Sequence, residues 1–249
     1  MPDRSLEELW ETAPRDAPRF DPVSIASLPP SVRRYLEHTI EPGAVLARSA
    51  LVRMEGTIRL GGDWRDFEAE QVLRWDRGFV WRARTSMKGL PVSGADRFVD
   101  GDGSMRWKML GLVPVMTASG PQISRAAAGR FHAEALWLPG ALVSDELRWS
   151  EVDPVHPHAC IRGHGEQSDL DLTIDKQGAV RALSLPRWYQ GTPETPAHYE
   201  PFGGRCGVDR TFDGITIPTR YQLGWFWGTD RWEDEGEFFR CTLTSVAYR

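Results

Sequence analysis

The stretch from Ala50 to Lys88, ALVRMEGTIRLGGDWRDFEAEQVLRWDRGFVWRARTSMK, decides the fold. Its apolar residues recur at every second position. Ala50, Val52, Met54, Ile58 and Leu60 alternate with Leu51, Arg53, Glu55, Thr57 and Arg59, the pattern of a strand that buries one face. Gly61-Gly62 then supplies a turn. Phe67, Ala69, Leu73 and Trp75 share one parity, and after Asp76-Arg77-Gly78 the residues Phe79, Trp81, Ala83 and Met87 alternate with Val80, Arg82, Arg84 and Lys88. These two runs read as a hairpin.

The same period continues downstream. Strands are predicted at Arg97–Val99 and Ser104–Leu110, joined by Asp100-Gly101-Asp102-Gly103, where glycine tolerates positive φ. Others are predicted at Glu146–Glu151, Ala159–His164, Asp169–Ile174, Val180–Leu185, Cys206–Phe212, Ile217–Trp227 and Glu235–Tyr248. Pro186 to Gly204 reads as a long irregular segment. The period changes to helical in two places. After Pro29-Pro30, Ser31 is placed to cap a helix to about Ile40, with Val32, Tyr35, Leu36 and Ile40 on one face. The second helix covers about Gln122 to Leu138, with Ser124 as its cap and Pro139 ending it. A short amphipathic turn is expected over Ser5–Trp10, cut off by the prolines from Pro14 to Pro30.

The expected fold is mainly β: a curved antiparallel sheet, half-barrel or open barrel, of about ten to eleven strands, with an N-terminal helix and a mid-chain helix on its concave face. Residues 1–45 read as a helical and Pro-rich lead-in and residues 46–249 as a single antiparallel β domain. A chain of 249 residues with 41% hydrophobic and 26% charged residues has the material for such a core.

Composition also narrows function. Thirty Lys and Arg against thirty-five Asp and Glu give a net charge of −5, with the signs interspersed, which argues against nucleic acid as a partner. No window approaches the roughly 18 apolar residues of a membrane span. The N-terminal residues hold no apolar run of the secretory kind, so the expected location is cytoplasmic. Cys160, Cys206 and Cys241 are scattered and suggest no disulfide framework. Nucleotide, dinucleotide and α/β-hydrolase signatures are absent from the sequence, so any enzymatic activity is expected to need no cofactor. Eleven tryptophans suggest a wide interior or a ligand-facing wall.

The segments Trp81-Arg-Ala-Arg, Asp96 to Gly103 running into Met105-Arg-Trp-Lys-Met-Leu-Gly, and Arg130 to Pro139 resemble those of an uncharacterised bacterial family of unknown function. The order of strands and helices resembles the half-barrel of bacterial lipoprotein carriers. That resemblance covers most of the chain after about residue 45, and implies a curved sheet wrapped around a hydrophobic cavity partly plugged by helices.

Three sets of residues are candidates for function. Trp81, Trp107, Tyr221, Trp225 and Trp227 fall on apolar strand parities, and with Trp188, Tyr189, Tyr199 and Phe202 they suggest the lining of a pocket for a hydrophobic or aromatic small molecule. Each alone is better read as core. Arg130 and Glu134, four residues apart, share a helix face; buried beside Asp96 they offer a carboxylate acid or base with an arginine to control it. Asp100 is better explained by its turn. The alternative function is therefore a cofactor-independent isomerase, cyclase or lyase using Glu134 or Asp96, with Arg130, Arg106 or Lys108 stabilising an oxyanion. Lastly, His156, His158 and Cys160 share a strand face and are ligand types, but Pro154 and Pro157 favour a plain edge segment, so no metal is expected. Neither the ligand nor the oligomeric state can be read from the residues.

Overall fold

The computed structural model describes residues 5–144, 147–191 and 195–249. Thirteen strands form one antiparallel sheet: β1 Ser49–Leu60, β2 Asp63–Arg74, β3 Gly78–Met87, β4 Leu90–Val99, β5 Asp102–Met109, β6 Val113–Ser119, β7 Leu147–Asp153, β8 His156–Gly163, β9 Glu166–Ile174, β10 Val180–Tyr189, β11 His198–Phe212, β12 Ile215–Trp225 and β13 Glu237–Tyr248. Their spatial order is β6-β5-β4-β3-β2-β1-β13-β12-β11-β10-β9-β8-β7. The first and last strands therefore pair at the centre, Ala50 opposite Tyr248 and Ile58 opposite Phe239. Two meanders run outward from that seam to the edges β6 and β7.

Turn chemistry sets this simple order. Gly61-Gly62, Lys88-Gly89, Asp100-Gly101, His164-Gly165 and Asp213-Gly214 each join two strands with both residues at positive φ, the conformation that matches strand twist in a two-residue hairpin. The count exceeds the expected ten or eleven; the strand with no counterpart in the sequence pattern is β6, whose almost uniformly exposed residues give no alternation to read. The segment Pro186–Gly204, expected to be irregular, is mostly strand. Pro186 lies opposite Pro201 beyond the last pairs with the outer neighbours, Ser184 with Asp171 and Phe202 with Trp225, so neither missing N–H interrupts those ladders. The expected strand start at Glu146 lies outside the described residues.

Three α-helices accompany the sheet: α1 Leu6–Glu11, α2 Pro30–Thr39 and α3 Pro121–Ala133. Ser5 caps α1 by accepting the Glu8 N–H at 3.0 Å. This helix does not join the concave side. Leu6 and Leu9 pack on Val72 and Val80, whose parity is opposite to that of Leu73 and Phe79, so α1 covers the convex face. In α2 the cap position is Pro29, not Ser31, because Pro30 occupies the first turn. Val32, Tyr35 and Leu36 enter the main core.

The connection from β6 to β7 links the two edges of the sheet, and α3 within it packs against β3, β4 and β5 on one wing and β9 and β10 on the other. It is shorter than expected. The chain tightens to 3-10 turns at Glu134–Trp137 and Pro139–Val143, since Pro139 excludes helical geometry at Leu138. Ser124 does not cap α3; its hydroxyl accepts the Gly103 N–H at 2.8 Å and ties the helix to the β4–β5 turn. Phe131 anchors α3 in the core, with ring centroids 5.4 Å from Trp75, 6.1 Å from Phe98 and 6.4 Å from Phe79.

Candidate functional site

Between α3 and the concave face lies a cavity of about 400 Å³. Alternation along the strands places its walls: Trp81 from β3, Asp96 from β4, Met105 from β5, Leu183 and Arg187 from β10, Phe202 from β11, Tyr221, Leu223 and Trp225 from β12, and Phe239 from β13. Ala126, Arg130 and Ala133 of α3 and the following Glu134 and Trp137 close the other side. A smaller space of about 130 Å³ shares Ile58, Trp81, Asp96 and Met105 with it and adds Trp107.

A polar cluster sits in one wall. Gln71, Trp81, Asp96 and Met105 form one cross-strand row over β2 to β5. Arg130 crosses above this row. Its Nε donates to Glu134 Oε1 at 2.7 Å, its Nη1 to Asp96 Oδ2 at 3.1 Å and its Nη2 to Gln71 Oε1 at 3.3 Å. Gln71 Nε2 donates to Glu134 Oε2 at 2.5 Å, and Trp107 Nε1 to Asp96 Oδ1 at 2.9 Å. The Arg130 guanidinium also lies 4.6 Å from the Phe79 centroid and 5.1 Å from that of Trp81. Burial disfavours the Arg130 charge, but the adjacent Glu134 and Asp96 carboxylates outweigh it and raise the pKa. Burial raises that of Asp96, with Arg130 and the Trp107 N–H opposing.

Arg187 enters from β10. Its Nε donates to Ala126 O at 3.1 Å, and its guanidinium lies 4.7 Å from the Phe202 centroid and 5.0 Å from that of Trp225. Burial and the positive charge of Arg130 push its pKa down to about 9, with Glu134 and Asp96 opposing.

A family model described as a family of unknown function, DUF6920, matches residues 26–248. The chain belongs to this family. No curated protein matches the chain. Among solved structures, this DUF6920 member is similar to a domain attributed to outer membrane lipoprotein sorting from Vibrio parahaemolyticus, with 7% identity, 81% of this chain and 85% of that one covered, and a TM-score of 0.41. It is also similar to a LolA superfamily protein from Nitrosomonas europaea, with 9% identity, coverages of 88% and 92%, and a TM-score of 0.38. A DUF1329 family protein from Desulfovibrio piger gives 13%, 81%, 86% and 0.34. The resemblance to lipoprotein-carrier half-barrels is thus met in solved structures. The expected cytoplasmic location is corrected: a polar N-terminal stretch does not define a compartment.

The structure brings together most of the residues singled out from the sequence. Trp81, Asp96, Arg130, Glu134, Trp188, Tyr221 and Trp225 line the main cavity, and Trp107 lines the smaller one. Two do not belong. Trp227 lies past the end of β12 and packs edge-on against Trp232 at 4.6 Å, because strand parity stops at Trp225. Tyr199 is 43% exposed and does not line the cavity; its hydroxyl donates to Glu166 at 2.7 Å, and its ring meets that of Trp188 edge-on. Arg106 and Lys108 are exposed on the side of β5 opposite Met105 and Trp107, so neither faces the cluster. His156 pairs with Asp153 at 2.7 Å and His158 with Asp171 at 2.8 Å, and no group of three potential metal ligands converges among the described residues.

Sequence reasoning passed over Gln71 and Arg187. The signal was present: each occupies an inward parity, Gln71 between Ala69 and Leu73, and Arg187 after Leu183 and Leu185.

Proposed function

We propose that this chain binds a hydrophobic small molecule, lipid-like or aromatic, in the cavity between α3 and the concave face of the sheet. The observation that carries this reading is the cavity itself. A volume of about 400 Å³ walled by Trp81, Trp137, Phe202, Tyr221, Trp225 and Phe239 lies within the range of small-molecule sites, where apolar surface supplies affinity and a few polar groups fix orientation. Taking a methylene as roughly the ~30 Å³ share of one water, it accommodates about a dozen heavy atoms.

The alternative, a cofactor-independent enzyme using Glu134 or Asp96, has less support. Both oxygens of each carboxylate already accept hydrogen bonds, from Arg130 and Gln71 for Glu134 and from Arg130 and Trp107 for Asp96. The cluster is read as the structural clamp that holds α3 over the sheet. Native mass spectrometry of protein purified from its own host, followed by denaturing extraction, tests the binding reading. A released lipid or aromatic compound in stoichiometric amount supports it. A ligand-free mass, together with failure of added decanol to bind, overturns it.

A further inference from the structure

Four charged side chains line the cavity, and they are not equivalent. Arg130, Asp96 and Glu134 satisfy one another. Arg187 has no carboxylate partner among the described residues, and only its Nε makes a hydrogen bond. Among the described residues its terminal nitrogens, which form the fork suited to a planar anion, meet no acceptor. The side chain is held in place regardless: Phe202 and Trp225 flank the guanidinium, and Gly129 of α3 lies so close to its stem that an added Cβ would stand 3.1 Å from Cγ. Held between two rings with its terminal donors turned to no partner, this cation is placed to receive an anion.

We propose that the ligand of this cavity is an amphiphile with a single carboxylate head, which seats on Arg187 while its apolar tail fills the aromatic interior. This inference rests on the binding reading above and specifies its ligand class. A carboxylate matches both free terminal donors at once, whereas an alcohol offers a single oxygen. An alkylammonium meets the like charge of Arg187, while the carboxylates of Asp96 and Glu134 are already held by Arg130. The burial that lowers the Arg187 pKa leaves it protonated at neutral pH.

The test compares decanoate, decanol and decylammonium by calorimetric titration at pH 7.5, on the wild-type chain and on Arg187→Gln and Arg187→Lys. Decanoate is expected to bind roughly ten- to a hundredfold more tightly than decanol, the range for hydrogen bonds to a charged group. Arg187→Gln brings the ratio of decanoate to decanol affinity close to one, and Arg187→Lys restores part of the preference. Equal binding of decanol and decanoate to the wild type overturns the carboxylate assignment alone and leaves the binding reading standing. Binding of none of the three overturns the binding reading, and the assignment with it. The wild-type comparison decides the matter even where a variant fails to fold.

Discussion

Arg130 and Glu134 stand one helical turn apart and meet at 2.7 Å, with their side chains only 20% and 11% exposed. At a surface such a pair contributes a few tenths of a kcal/mol. Here it is partly withdrawn from water and continued into Asp96, Gln71 and Trp107. Replacing Arg130 with Met is expected to destabilise the fold by about 3 to 5 kcal/mol, because Asp96 and Glu134 lose their shared cation. The denaturant midpoint measures this. A loss under about 1 kcal/mol would show the cluster to be ordinary surface pairing.

His132 makes stability depend on pH. It is fully buried, Nδ1 lies 2.8 Å from Ser168 Oγ, and burial, reinforced by His164, lowers its pKa to about 4. The unfolded chain takes up this proton near pH 6.5 and the folded chain does not, so the contribution is complete above 6.5 and falls as pH drops toward 4. The expected loss is about 3 kcal/mol across that window. Urea denaturation at pH 7 and pH 4.5 measures it, and His132→Gln should flatten the difference. An unchanged slope in that variant would exclude His132 as its source.

The cavity can be closed from within. Leu223 lines it on β12 opposite Phe239 of β13, and Leu223→Trp should fill part of the space at a packing cost of about 1 to 3 kcal/mol. Decanol affinity is expected to fall at least tenfold while far-ultraviolet dichroism is retained. Undiminished binding would place the apolar ligand elsewhere.

Carboxylate binding should respond to alkaline pH. Burial and the positive charge of Arg130 push the Arg187 pKa down to about 9 in the free protein, with Glu134 and Asp96 opposing across the cavity and the Tyr221 phenol held neutral by burial, well above its usual range. Below that pH the cation is present; above it, decanoate affinity should decline while decanol affinity does not. Affinities measured from pH 7 to 10.5 check this, and parallel curves for the two ligands would contradict it.

Much of this architecture was legible in strand alternation and turn glycines. Period two at Ala50–Leu60, Phe79–Met87 and Ile217–Trp225 told which side chains face inward, Trp81 and Trp225 among them. The partnership of Arg130 and Glu134 followed from helical spacing, while their meeting with Asp96 needed α3 to cross the sheet, a long-range fact absent from any local pattern. Arg187 was obscured because Pro186 and Pro201 mimic a loop, and only the pairing of β10 with β11 shows that they are accommodated. Trp227 shows the opposite failure, a parity extended two residues past the point where the strand ends.

An apolar binding cavity under α3 can be sought by titrating the wild-type protein with decanol in a calorimeter at several temperatures. Burial of an alkyl chain predicts saturable binding at one site with a negative heat-capacity change. Absence of saturable binding at every temperature would exclude the cavity as an apolar binding site.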